Sequence, residues 1–166
     1  MYSIRLTYNQ PFKGIDIMRE REKIILEYLK EQGYQAKADK DGDIVFKCES
    51  MNLAILVDDT DESFFRLVLP NFWEIESEAE LDQVLLASSQ LNHEIKLIKI
   101  TTSDMETHAS VEMLLTSAQD IKKIFEKSLR CIQHATYKFA EKMRELSEAK
   151  QRKRRIPKDA DSSWYN

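Results

Sequence analysis

The apolar residues Ile121, Phe125, Ile132, Ala135, Phe139 and Leu146 recur at intervals of three, four or seven, the spacing that keeps them on one helical face. Ser117-Ala118-Gln119-Asp120 supplies a capping sequence at the start. A helix from there to about residue 147 has about 30 residues and is roughly 45 Å long. No small sheet matches that length, since six strands span only about 25 Å. The helix is therefore expected to overhang its sheet. Phe139, Met143 and Leu146 stay apolar in that overhang, which predicts a partner surface, most simply a second copy of the chain. An N-terminal segment folded back over the same residues is the alternative cover.

The sheet itself is legible upstream. Ile17, Ile24, Ile25, Tyr28 and Leu29 fall at helical spacing, and Gly33 is placed to end that helix. Over 35–69 the period changes to two, with turn residues between short runs. Asp41-Gly42 predicts a two-residue hairpin with both φ angles positive. Ser50-Met51-Asn52 and Asp58-Asp59-Thr60-Asp61 predict further turns, and Pro70 is expected to close the series. Ser77-Glu78-Ala79-Glu80 reads as a capping box before a helix carrying Leu81, Val84, Leu85, Ser88 and Leu91, ending near Asn92. Two more strands, 94–101 and 107–115, turn through Ser103-Asp104-Met105-Glu106. The expected class is α+β: an antiparallel sheet in the order α-β(4)-α-β(2)-α, with helices packed on it and a long C-terminal helix.

With 166 residues, 42% of them hydrophobic, one domain can bury a core without disulfide or metal support. Its span is set at 16–149, preceded by an arm or edge strand over 1–15, where Ile4, Leu6 and Tyr8 alternate with polar residues. Residues 150–166 are expected to form a basic, flexible tail. Within it Lys150, Arg152, Lys153, Arg154 and Arg155 are packed into six positions. Setting those five aside leaves 20 basic against 29 acidic residues, so the body carries −9 behind an overall charge of −4.

Several chemistries are excluded. Gly14, Gly33 and Gly42 stand alone, so no glycine-rich loop can cradle a phosphate. His93, His108 and His134 form no zinc spacing, and the Asp39, Asp41, Asp43 series lacks the later residues of a calcium loop. No metal or cofactor is expected. Cys48 and Cys131 form no CxxC pair, which suits a reducing cytoplasm, and the apolar runs fall far short of the roughly 20 residues that span a bilayer. No secretory leader is expected, since residues 1–8 lack a charged start followed by an unbroken apolar stretch. The acidic turn 58–62 reads first as a solvated loop and second as a seat for a cation or a basic segment.

The order of elements and several local words resemble a family. They are Gln32-Gly33-Tyr34 at the first helix end, Asp41-Gly42-Asp43-Ile44-Val45-Phe46, the strands 53–58 and 64–70, Leu91-Asn92, and a strand carrying Lys96 and Lys99. Over about 16–146 the chain resembles the YbjN-type sensory transduction regulators, which are grouped by fold with type III secretion chaperones. The resemblance implies helices packed on an antiparallel sheet, no enzymatic activity, frequent dimerisation and, in the chaperone branch, capture of an extended client segment. Four strands precede the second helix, as in the YbjN-like group, where the secretion chaperones typically have three. No catalytic residues carry over.

The expected function is a non-enzymatic, chaperone-like or regulatory module that binds a protein or peptide partner. It would do so by adding a strand at a sheet edge or by covering an apolar face. Phe64, Phe65, Phe72 and Trp73 are the candidate contacts, with the core as the competing role for Trp73. Nucleic-acid or phosphate binding through the basic tail ranks second, because the body is acidic and shows no recognition helix.

Overall fold

The computed structural model describes residues 20–58 and 60–155, the last three as backbone. The expected N-terminal arm and the tail beyond 155, with Trp164 and Tyr165, lie outside the described residues. The elements are α1 (Glu20–Glu31), β1 (Lys37–Ala38), β2 (Ile44–Cys48), β3 (Met51–Val57), β4 (Phe64–Glu74), α2 (Glu78–Glu94), β5 (Ile98–Ser103), β6 (Glu106–Leu114) and, after a short 3-10 turn, α3 (Ile121–Arg155). One antiparallel sheet carries the strands in the order β1-β2-β3-β4-β6-β5. The architecture is the expected α+β arrangement.

Strand register explains the single core. Ile44 pairs with Ile55, Ile55 with Leu67, Leu67 with Val111 and Val111 with Ile98, so these side chains share one face. All three helices contribute to the same cluster: α1 through Ile25 and Leu29, α2 through Val84 and Leu91, α3 through Phe125 and Ile132. On the opposite face Glu112 reaches Arg66 on β4 (3.0 Å) and Lys99 on β5 (3.2 Å).

Local chemistry sets the helix ends. Gly33, at φ 87°, closes α1 in a Schellman cap: its N–H meets Lys30 O at 2.9 Å and the Tyr34 N–H meets Leu29 O at 2.9 Å. At the other end Arg21 is buried and donates to the backbone carbonyls of Glu62 (2.6 Å), Asp61 and Phe64. Burial pushes the Arg21 pKa down, and the nearby Glu62 and Asp61 charges oppose that shift. The acidic turn is thus a collar on Arg21. Asp58 accepts from the Thr60 and Asp61 N–H groups, and Asp61 from that of Ser63.

Four boundaries differ from the sequence expectations. The first hairpin has three loop residues, because Asp39 pairs with Asp43 (N to O, 2.8 Å) and Gly42 alone of Asp41-Gly42 takes a positive φ, 86°. The next turn is Glu49-Ser50, with Cys48 opposite Met51. Pro70 does not end β4: the ladder with β6 shifts register between Leu69 and Trp73, and the irregularity accommodates a residue without an N–H. Residues 150–155 continue α3 as helix instead of starting a flexible tail.

The longer helix also corrects the dimer surface. At 35 residues α3 is about 52 Å long. Yet Phe139 is 0% and Met143 4% exposed, and Leu146 packs against the same core. The extension of β4 past Pro70 lengthens the floor beneath α3. Phe72 and Trp73 close on the Phe139 ring with centroids at 5.1 and 5.4 Å. α2 runs antiparallel alongside, where Ser147 Oγ meets Gln83 Oε1 (3.4 Å) and Lys150 Nζ meets Ala79 O (3.4 Å). The three residues assigned to a second copy are packed within the protomer.

Phe139→Ala should therefore cost about 3–5 kcal/mol in denaturant unfolding. Leu114→Ala, at a site 72% exposed, should stay within about 0.5 kcal/mol. Comparable losses in the two variants would contradict the placement of Phe139.

Candidate functional site

The site begins with the irregularity in β4. Successive strand residues normally face opposite sides, so Phe72 and Trp73 could not both meet Phe139 on a regular strand. Asn71 breaks the alternation by taking a left-handed φ of 50°, which Asn tolerates better than most residues. Its N–H donates to Nδ1 of His108 at 3.2 Å. With Nδ1 accepting, the ring proton of neutral His108 sits on Nε2, which lies 3.2 Å from Ser103 Oγ and donates to it. Burial lowers the pKa of His108; Arg66 adds to that shift, while Glu106 and Asp104 work against it.

Trp73 is held at its other end. Its Nε1 donates to Glu80 Oε1 at 3.0 Å, while Oε2 of the same carboxylate accepts from the Glu76 N–H at 2.8 Å. Ser77 Oγ accepts from the Glu80 N–H, so half of the expected capping box forms. The returning half goes to Glu76 and the indole. Trp73 then stands between two hollows. The smaller, about 400 Å³, lies toward α2 and includes Glu76, Arg144 and Lys150.

The larger hollow, about 790 Å³, is a groove between the β2–β3 turn, the irregular part of β4 and the middle of α3. Its apolar lining includes Met51, Leu69, Pro70, Phe72 and Trp73. Its polar lining is mostly uncharged, with Asn52, Gln133, Thr136 and the 62%-exposed Tyr137. Glu49 is the single charged group in that lining among the described residues. Such a surface suits apolar side chains and peptide amides.

The expected contact residues separate. Phe72 and Trp73 are half-buried and line the groove. Phe65 is 0% exposed and belongs to the core, a correction that follows from its place opposite Met113 on the helix-covered face. Phe64 is half-buried on the other face and stands apart from the groove. Of the basic residues, Lys150 contacts α2, Arg152 lies 3.9 Å from Glu148 on the helix surface, and Lys153, Arg154 and Arg155 form the last turn of α3. Glu49, Asn71 and Tyr137 were not singled out in the sequence. Tyr137 carried one usable signal: it is an aromatic placed off the apolar stripe of α3.

The sheet edges are less available than an added strand requires. Asn92 on α2 accepts from the Ile100 N–H (2.7 Å) and donates to the Ile100 carbonyl (3.0 Å), occupying the centre of the β5 edge. At the opposite edge β1 has only two residues. Burial raises the pKa of both cysteine thiols, which disfavours thiolate chemistry there. No three potential metal-ligating side chains come together among the described residues, and none of their helices is long and apolar enough to cross a membrane.

No protein-family model matches the chain, and no curated protein matches it in sequence. Among solved structures it is similar to YbjN from E. coli, described as a proposed transcription regulator. The identity is 12% with a TM-score of 0.52, and the match covers 72% of this chain and 90% of that one. The YbjN-type fold expected from the local words is therefore present.

Protonation of His108 would oppose the Asn71 N–H with a second donor. Because the folded pKa is depressed, the stabilisation is complete above the unfolded value of about 6.5 and is lost as pH falls from there through the folded pKa. Melting temperature should drop between pH 7.5 and 5.5, and His108→Gln, which retains an acceptor, should flatten that drop. Equal drops in both proteins would remove His108 from this role.

Proposed function

We propose that this chain is a non-enzymatic cytoplasmic interaction protein, chaperone-like or regulatory, that holds a segment of a protein partner in the groove walled by Phe72 and Trp73. The observation that carries the reading is the construction of that wall. Two adjacent aromatics are turned to one side by a backbone irregularity and anchored on Phe139 and Glu80, while a row of uncharged polar groups stays accessible beside them. An aromatic floor with amide-compatible walls supports binding of a peptide without chemistry on it. The blocked β5 edge favours the groove over strand addition. Free cysteines at Cys48 and Cys131 agree with a reducing compartment.

A regulatory role of the kind named for YbjN admits a second reading, nucleic-acid binding through the basic end of α3. It is favoured by one observation: the basic run 150–155 continues α3 as helix. It ranks lower because Lys150 is engaged by α2 and the body is acidic.

Affinity capture with three full-length proteins separates the readings. Wild type and a Lys150→Glu, Arg152→Glu, Arg154→Glu variant should recover the same protein partner, and Tyr137→Glu should lose it. The opposite pattern, with a short DNA duplex bound in a salt-dependent way and released by the charge reversal, would overturn the groove in favour of the helix end.

A further inference from the structure

The groove contains more information about its occupant than its apolar floor. Two described residues other than glycine that take left-handed backbone conformations meet there: Glu49 at φ 53° and Asn71 at φ 50°. Asn71 has a structural reason, since its N–H is taken by His108. Glu49 does not. Glycine would take that φ freely, yet the turn carries a glutamate, at the rim of the groove. Its carboxylate is also the lone charge in a lining otherwise composed of apolar, amide and hydroxyl groups, and it is paired with no cation among the described residues.

Resting on the groove as the partner site, we infer that its occupant is an extended peptide segment carrying an aliphatic or aromatic side chain followed or preceded closely by Lys or Arg. The apolar side chain lies over Pro70, Phe72 and Trp73. The cation meets Glu49 at the tip of the β2–β3 turn. The amides of Asn52 and Gln133 and the hydroxyl of Tyr137 are suited to the peptide backbone between them. Glu49 thus selects among apolar segments by charge, and rejects acidic ones by like-charge repulsion. The acidic body, at −9 outside 150–155, draws the same kind of partner from a distance.

A random peptide library displayed on phage and panned against the full chain tests this. Wild type should enrich peptides with an apolar residue and a Lys or Arg within a few positions. Glu49→Lys should reverse the preference to Asp or Glu while keeping the apolar residue. Tyr137→Glu should abolish enrichment. Both substitutions are at exposed sites, and unchanged circular dichroism confirms the fold. Apolar peptides enriched equally by wild type and Glu49→Lys, without charge preference, would overturn the role of Glu49 and leave the groove standing. No enrichment at all, or enrichment that survives Tyr137→Glu, would overturn the groove and this inference together.

Discussion

The irregularity at Pro70–Asn71 in β4 is the constraint from which the rest of this structure follows. A regular strand would send Phe72 to one face and Trp73 to the other. The register shift lets both rings reach Phe139. Edge-to-face contacts of this kind add about 0.5–1.5 kcal/mol each beyond area burial. They form the second of two anchors on α3. The first is Phe125, which meets Tyr28, Tyr34 and Phe46 with ring centroids at 5.8, 5.5 and 5.6 Å. The anchors are separated by about 21 Å of helix at 1.5 Å per residue. A helix pinned at both places has little freedom to slide, so the groove between them has a fixed width.

The element order was legible because it depends on local periodicity and local caps. Gly33, Ser77 and the apolar spacing of 121–146 act within a few residues of themselves, and each appears where expected. What was not legible depends on residues distant in sequence. Pro70 reads as a terminator until His108, 37 positions from Asn71, supplies an acceptor for the Asn71 N–H. Phe139 reads as overhang until the extension of β4 reaches beneath it. The groove was half legible for the same reason. Phe72 and Trp73 stood out as aromatics near a proline, whereas Glu49 and Tyr137 gain meaning only when the β2–β3 turn and α3 are brought together. Phe64 and Phe65, adjacent in β4, cannot be assigned to a face from sequence alone, because the face depends on the register.

Edge protection and groove construction are complementary. A sheet with open edges invites pairing with any extended chain, and main-chain hydrogen bonds discriminate poorly among sequences. Asn92 imitates a strand at one point of β5 by offering an acceptor and a donor to the same residue. That contact also ties the last turns of α2 to the sheet. A segment held in the groove must instead satisfy side-chain contacts, where specificity is greater. The fold therefore limits indiscriminate pairing at the β5 edge, and the proposed partner site lies in the groove instead.

Rigidity has a direct consequence for binding. Association is weakened by the ordering of loops and side chains, at about 0.5–1.5 kcal/mol for each flexible side chain immobilised. Trp73 is already fixed by Glu80, the Phe72 ring by Phe139, and Asn71 by His108. Those residues lose little further freedom when a ligand arrives. The two-residue β2–β3 hairpin works in the same direction, because a short turn tip presents the Glu49 carboxylate without further ordering. A groove that had to assemble its walls on binding would bind more weakly. The preorganisation of these walls is what supports the proposal that the groove holds a peptide.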